Sequence, residues 1–223
     1  RLSEIPINAK ERESEKTCFI EELRSSPIAL STNQANEQHY EVPPSFFQEI
    51  MGSHLKYSCG WFDENTTSLD AAEENMLKLY VDRLGIRNNQ RILDLGCGWG
   101  SFTLYAAEKF PNSDFVAVSN SNDQIGFINN TAKARSLRNV QAIKQDMNDL
   151  SLAGSFDRII SIEMFEHMRN YGALLKKLVD HLLSDGKMFV HIFTHRNYPY
   201  PYEERGPSDW MSKYFFTSGL MPS

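Results

Sequence analysis

From Arg91 onward, short apolar runs alternate with longer segments in which apolar residues recur at helical spacing. The apolar runs predict strands at Arg91–Leu95, Asp114–Ser119, Val140–Gln145, Phe156–Ser161 and Lys187–Phe193. The periodic segments between them predict helices at Ser101–Phe110, Asp123–Leu137 and Tyr171–Leu183. Strands of mostly apolar residues that are separated by helices favour a parallel sheet covered on both faces. The pattern therefore predicts an α/β fold with a doubly wound, mostly parallel, Rossmann-like sheet. Its ligand would lie at the carboxyl ends of the strands.

The N-terminal third of the chain has a different pattern. Residues 1–38 are dense in charged and then in Asn and Gln side chains, so we expect a charged arm, frayed or helical, followed by a linker. Residues 39–85 contain a short helix after Pro43-Pro44 and a longer amphipathic helix within Thr67–Leu84. We expect these helices to form an N-terminal cap on an α/β core at residues 86–223.

Composition and charge limit the class of partner. The chain has 223 residues, of which 41% are hydrophobic and 23% charged, and its formal net charge is -6. Nucleic-acid-binding domains are usually basic, so we expect no nucleic-acid partner. No apolar run is long enough for a transmembrane segment, and no signal-peptide pattern opens the chain. Cys18, Cys59 and Cys97 share neither disulfide nor metal-ligand spacing. We therefore predict a cytoplasmic enzyme without a metal site, of undetermined oligomeric state.

The most informative local sequence is Ile92-Leu93-Asp94-Leu95-Gly96-Cys97-Gly98-Trp99-Gly100. A strand runs into a turn with glycines at alternate positions, and a helix follows directly. Such glycines allow a tight turn and the close approach of a ligand to main-chain N–H groups. The spacing differs from the dinucleotide fingerprint, and no Gly-Lys-Ser/Thr of a phosphate loop follows. Asp94 would repel a pyrophosphate, whereas it suits a ligand that carries an ammonium group and a sulfonium.

This turn resembles the first motif of class I S-adenosylmethionine methyltransferases. The resemblance implies that S-adenosyl-L-methionine is the cofactor and that Asp94 binds its methionine amine, directly or through water. It also implies that Gly96, Gly98 and Gly100 pass close to the cofactor. The alternative is an ordinary tight turn between a strand and a helix.

The next two strand ends supply candidate contacts to the rest of the cofactor. The usual acidic residue at the end of the second strand is absent, but Asn120 and Gln124 have amides that can bind the ribose hydroxyls. Asp146, just after the third strand, would accept a hydrogen bond from the adenine amino group, and Met147 beside it is a further candidate contact. A solvated loop carboxylate is the alternative for Asp146.

Further strings flank the glycine turn, at His39–Pro43, Leu55–Phe62, Ser161–Met168 and Asp209–Phe216. Together they resemble the cyclopropane fatty-acid synthase superfamily, most closely its coclaurine N-methyltransferase-like branch, from about His39 to Ser223. The resemblance implies that residues 39–85 cover the cofactor, that Tyr57 and Ser58 contact it, and that Cys59 forms a wall of the active site. It also implies a C-terminal extension, which helps to close the acceptor pocket in the superfamily, and we expect the core at residues 86–223 to lack it.

One position separates the two branches of this superfamily. Cyclopropane synthases typically have Gly where Glu163 stands, and its backbone helps to hold a bicarbonate base, whereas N-methyltransferase-like members often have Glu. The spacing of Glu163, Glu166 and His167 places all three on one face if the segment is a helical turn. Carboxylates attract an ammonium ion and a base removes its proton, so this cluster suits an amine acceptor. We assign His167 as the base, Glu166 as the residue that orients it and Glu163 as the group that binds substrate charge.

The alternative is that both glutamates are solvated loop charges and that His167 caps the turn. His191, in the last predicted strand, is a further catalytic candidate, because the matching histidine of cyclopropane synthases contacts bicarbonate; a buried structural histidine is equally compatible with its position. The predicted function is methyl transfer from S-adenosylmethionine to an amine nitrogen of a small molecule. The rivals are cyclopropanation of an unsaturated phospholipid acyl chain and cofactor binding without activity.

Overall fold

The computed structural model describes residues 8–30 and 44–223. Its helices are α1 Ala9–Ser25, α2 Pro44–Ile50, α3 Leu69–Leu84, α4 Ser101–Lys109, α5 Asn122–Ala134, α6 Tyr171–Val179 and α7 Trp210–Tyr214. Its strands are β1 Arg91–Leu95, β2 Asp114–Ser119, β3 Val140–Lys144, β4 Phe156–Ile162, β5 Leu182–His191, β6 Tyr200–Pro201 and β7 Leu220–Met221. A 3₁₀ turn, Phe165–His167, follows β4. None of the helices in these two ranges is long and apolar enough to cross a bilayer.

The main sheet has five strands in the order β3-β2-β1-β4-β5, and every neighbouring pair is parallel. The chain builds β1, β2 and β3 outward in one direction and then crosses back to place β4 on the other side of β1. The strand order therefore reverses between β1 and β4, and a ligand crevice opens beyond the carboxyl ends of these two strands. The predicted α/β fold with a doubly wound parallel sheet is confirmed.

Both faces of the sheet are covered by helices. Ile92, Phe115 and Ile160 pack on one face in the same cluster as the buried side of α3, while Leu93 and Ile159 pack on the other face with α6. Consecutive residues of a strand point to opposite faces, so a strand that is buried on both sides is apolar at most of its positions. This is why the strands could be predicted from the sequence.

Several element boundaries differ from the prediction, and the largest differences lie between α6 and β5. Strand β5 begins at Leu182 rather than at Lys187, and α6 ends at Val179 rather than at Leu183. Leu182 and Leu183 continue the apolar period of the helix, but Leu182 pairs with Phe156 of β4. Pairing between strands, which local periodicity does not report, decides this boundary.

The N-terminal arm is helical and docks on the core. Glu22 of α1 lies 2.6 Å from a guanidinium nitrogen of Arg169, and the Asn170 amide donates to two main-chain carbonyls at the end of α1. Ile28 and Ala29, within the segment predicted to be a linker, are buried against β-sheet residues. Two apolar side chains in a polar sequence are therefore core residues. The His39–Pro43 string and residues 31–38 lie outside the described part of the chain.

Candidate active site

The glycine turn after β1 combines close packing with open space. Gly96, Gly98 and Gly100 have φ values of 77°, 53° and 78°, a region that L side chains rarely adopt. A Cβ at Gly96 would lie 2.7 Å from Cβ of Met164, and one at Gly100 would lie 2.7 Å from Cγ1 of Ile128. A Cβ at Gly98 would meet nothing within 4 Å. Packing thus requires glycine at the two outer positions, whereas Gly98 faces free volume.

That free volume belongs to a cavity of about 120 Å³ at the carboxyl ends of β1 and β4. Its lining includes the glycine turn, the 55–58 segment, the end of β4 and the last residue of the 3₁₀ turn. The principal lining side chains are Tyr57, Ser58, Asp94, Glu163, His167, Phe193 and Phe216. The fold thus brings seven residues predicted as site residues to one cavity: Tyr57, Ser58, Asp94, Gly96, Gly98, Glu163 and His167.

Asp94 is the carboxylate beneath the turn. It is buried at the end of β1, and Oγ1 of Thr103 donates to its Oδ2 at 2.6 Å. Burial raises the pKa of Asp94 to about 6, against the lowering effect of the Thr103 hydrogen bond. A cation bound in the cavity would stabilise the ionised carboxylate and reverse this shift.

The residues predicted at the ends of β2 and β3 lie on the other side of β1 from β4, and none of them is among the described residues that line this cavity. Gln124 is buried, its Oε1 accepts from Ser119 at 2.6 Å, and its Nε2 has no hydrogen-bond partner in the described part of the structure. Asp146 accepts from a main-chain N–H in its own turn, and Met147 packs in the core. Asn120 follows β2 directly.

A buried carboxylate that the sequence analysis missed holds in place the loop between α2 and α3, residues 51–68, here called the covering segment. Glu73 of α3 is 1% exposed and accepts main-chain hydrogen bonds from Gly52 at 3.0 Å, His54 at 3.0 Å and Lys56 at 3.3 Å. A carboxylate that satisfies several N–H groups fixes the path of the loop around it. The only local signal was an acidic residue next to the apolar stripe of a predicted helix.

Lys56 is a second residue that the sequence analysis missed. Its ammonium is buried, is hydrogen-bonded to the Ser58 hydroxyl and lies 5.0 Å from the centroid of the Tyr80 ring. Burial lowers the pKa of Lys56, while Cys59 and Glu163 oppose that shift. The covering segment thus contributes a positive charge to the same end of the cavity as Glu163.

The predicted single helical face for Glu163, Glu166 and His167 is wrong. Glu163 has a φ of 47°, and its N–H donates to the His191 carbonyl at 2.8 Å, so it continues the strand pairing and precedes the 3₁₀ turn. Its side chain lines the cavity, as does His167, whose ring stacks on Phe216 at 5.2 Å.

Glu166 points away from this pair into the protein. It is 0% exposed, and one of its oxygens accepts from the Phe193 N–H at 3.0 Å. Burial raises the pKa of Glu166 to about 7, and hydrogen bonds from main-chain N–H groups only partly offset that effect. Glu166 therefore anchors the chain beyond β5, including Phe193 in the cavity wall.

His191 lies beside Glu163 in a cluster that joins four segments of the chain. Its Nδ1 is 2.6 Å from the Tyr80 hydroxyl, and its Nε2 is 4.0 Å from Oε1 of Glu163 and 3.9 Å from Sγ of Cys59. Burial lowers the pKa of His191, and the carboxylate of Glu163 opposes that shift. The arrangement combines a carboxylate that attracts a cation with an imidazole whose pKa is lowered by burial.

The comparison with protein families agrees with this architecture. The family model described as "Mycolic acid cyclopropane synthetase" matches residues 29–223. The chain belongs to this family. The predicted superfamily is confirmed, and the cyclopropane synthetase family includes relatives of both predicted branches.

Curated relatives of this family member include the (S)-coclaurine N-methyltransferase of Thalictrum flavum subsp. glaucum, which is 41% identical over 89% of this chain and 55% of its own length. The (S)-coclaurine N-methyltransferase of Papaver somniferum is 34% identical over 95% of this chain and 60% of its own length. The cyclopropane-fatty-acyl-phospholipid synthase of Escherichia coli strain K12 is 28% identical over 84% of this chain and 46% of its own length. The chain thus spans between about half and three fifths of these relatives.

Solved structures of the cyclopropane synthetase family confirm the class I methyltransferase fold. A coclaurine N-methyltransferase bound to N-methylheliamine and SAH has a TM-score of 0.92 at 37% identity, covering 98% of this chain and 63% of that one. The mycolic acid cyclopropane synthase CmaA1, complexed with SAH and CTAB, has a TM-score of 0.72 at 25% identity, covering 85% of this chain and 70% of that one.

Proposed function

We propose that this chain binds S-adenosyl-L-methionine and transfers its methyl group to an amine nitrogen of a small molecule. The observation that carries the proposal is the carboxylate of Glu163, which lines the cavity beside the glycine turn and lies 4.0 Å from an imidazole nitrogen of His191. The names of the two coclaurine N-methyltransferases and the N-methylheliamine in the solved relative support an amine acceptor.

The cavity fits the cofactor in two respects. The space above Gly98 is empty where a side chain would stand, so a ligand can approach the main chain of the turn. The buried carboxylate of Asp94, with its raised pKa, is suited to an ammonium group. When bound, the cofactor supplies an electrophilic methyl group on a sulfonium. Tyr57 and Ser58 would cover it from the opposite side.

The adenosine half of the cofactor would lie across the ends of β2 and β3. Gln124 supports this placement, because its buried Nε2 lacks a hydrogen-bond partner in the described ranges and can donate to a ribose hydroxyl. Asn120, Asp146 and Met147 remain candidate contacts at the same strand ends.

The chain's own groups would bind the acceptor and remove its proton. Glu163 attracts the ammonium form of the amine. His167, on the same cavity wall, accepts the proton that must leave before the nitrogen lone pair can attack. Glu166 orients the wall through its bond to the Phe193 N–H. Catalysis would come chiefly from positioning the amine in line with the methyl group.

Cyclopropanation is less compatible with this site. The Glu163 side chain adds a negative charge next to His191 and would repel a bicarbonate ion there. The cytoplasm is the proposed location, since Cys18, Cys59 and Cys97 are all free thiols and suit a reducing compartment.

The test is a methyl-transfer assay with labelled cofactor, offered a panel of small amines and, separately, vesicles of oleoyl phospholipid. We expect label in the amines. Glu163→Gln should raise the KM for a cationic amine, whereas Glu11→Gln on the exposed α1 should not change it. Label in the lipid alone, with every amine unmodified, would contradict the proposal and indicate a cyclopropane synthase activity instead.

A further inference from the structure

Three donor atoms of different chemical type converge at one end of the cavity. They are Sγ of Cys59, a carboxylate oxygen of Glu163 and Nε2 of His191, and all lie within 4.8 Å of one another. The segments that carry them are far apart along the chain: the covering segment, the end of β4 and the end of β5. Because the donors share no sequence spacing, the sequence analysis predicted no metal site.

The distances between these donors suit a tetrahedral metal ion. With Zn–S near 2.3 Å and Zn–N or Zn–O near 2.0 Å, tetrahedral ligands stand about 3.3–3.6 Å apart. The thiol is 3.9 Å and the carboxylate 4.0 Å from Nε2 of His191. Cys59 is exposed and the other two side chains are partly exposed, so small side-chain rotations can close these gaps.

Tyr80 prepares His191 for this role. Tyr80 is 1% exposed, and its hydroxyl lies 2.6 Å from Nδ1 of the imidazole. If Nδ1–H donates to the phenol oxygen, the lone pair of Nε2 faces Cys59 and Glu163. Metal-binding histidines are typically oriented by such a hydrogen bond on the second nitrogen.

The charge of the cluster also favours a cation. With Glu163 ionised and the Cys59 thiol deprotonated on binding the ion, the ligands carry two negative charges. Thiolate, imidazole and carboxylate together select zinc over magnesium or calcium, which prefer oxygen ligands alone.

We propose that Cys59, Glu163 and His191 bind one zinc ion, and that this ion blocks the acceptor pocket. The Cys59 thiol loses its proton to solvent as the Zn–S bond forms, and a water molecule completes the four ligands. The binding itself is independent of any methyl transfer. The blocking rests on the proposed function, because the ion occupies the carboxylate of Glu163 that would otherwise attract the ammonium group.

Cobalt(II) is the probe for the binding, since a cobalt–thiolate bond absorbs in the near ultraviolet. The 223-residue chain should show this band with one ion bound per chain. Cys59→Ser should abolish the band and weaken zinc binding by at least tenfold in competition with a chelator. Cys18→Ser is the matched control, because Cys18 is exposed on α1 outside the cluster, and it should retain the band. Absence of the band in the wild type, or its survival in Cys59→Ser, would overturn the zinc site.

Inhibition kinetics test the second half of the proposal. Zinc should raise the KM for an amine that the wild-type chain methylates, and it should leave the affinity for SAH unchanged. The methylation rate of Cys59→Ser should be far less sensitive to zinc. Zinc bound without any effect on the KM would overturn the block while leaving the site in place. A chain that methylates no amine but shows the cobalt band would refute the proposed function and the blocking role, and would confirm the metal site.

Discussion

The hydroxyl of Tyr80 and Nδ1 of His191 lie 2.6 Å apart and join the middle of α3 to the end of β5. Tyr80 is buried, and burial is the main effect that raises the pKa of its phenol. The tyrosine therefore stays neutral, and it limits rotation of the imidazole. The other nitrogen of the ring is left facing Glu163 and Cys59.

Tyr80→Phe should reduce the rate of amine methylation by on the order of tenfold, because the imidazole beside Glu163 is no longer held in one orientation. The loss of the hydrogen bond should also lower the free energy of unfolding by about 1 kcal/mol. Tyr105→Phe is the matched control: Tyr105 is also buried, and its hydroxyl has no hydrogen-bond partner among residues 8–30 and 44–223. Equal rates for the two variants in steady-state assays would show that Tyr80 has only a structural role.

Gly98→Val should abolish SAH binding in calorimetry, because the side chain projects into the free volume above the turn. The positive φ of 53° adds backbone strain of about 1–2 kcal/mol to the folded state. Gly85→Val controls for that strain, since Gly85 has a φ of 65° with nothing within 4 Å and lies at the end of α3, away from the lining residues. Loss of SAH binding in both variants would indicate unfolding rather than a filled cofactor site.

Glu166 should make stability depend on pH. Burial raises its pKa in the folded protein from 4.5 to about 7, so the folded state retains a proton that the unfolded state has lost. The contribution of Glu166 is therefore fully present below about 4.5 and is lost as the pH rises to about 7. Denaturation at a series of pH values should show a smaller decline for Glu166→Gln than for the wild type across this window. Parallel curves would mean that the carboxylate is already ionised in the fold.

His167→Ala should lower the rate of methyl transfer by on the order of a hundredfold or more, the usual contribution of a positioned base. The rise of the rate with pH that reflects deprotonation of the imidazole should disappear with it. SAH affinity should change little, because the glycine turn follows a different strand. His181→Ala provides the control, since His181 is a partly exposed histidine that is hydrogen-bonded to the Gly154 carbonyl outside the cavity. A His167→Ala enzyme with a near wild-type rate and an unchanged pH profile would refute the assignment of the base.

The sequence alone determined the parts of this protein that depend on neighbouring residues. Runs of mostly apolar residues predicted all five strands of the main sheet, because the central positions of a strand buried on both faces are largely apolar. The alternate glycines after β1 predicted the ligand turn, since the required positive φ values are a property of single residues. The motifs also predicted the family, which their order along the chain specifies.

Only the tertiary structure decided which side chains meet. Glu163, Glu166 and His167 are adjacent in sequence, yet pairing of Glu163 with β5 and its positive φ separate it from the turn, and Glu166 points into the protein. Conversely, Tyr80 and His191 are in contact although they are remote in sequence. Local periodicity describes the backbone of one segment at a time. The approach of two segments depends on strand order and on the packing of helices against the sheet, which bring distant side chains to the same strand ends.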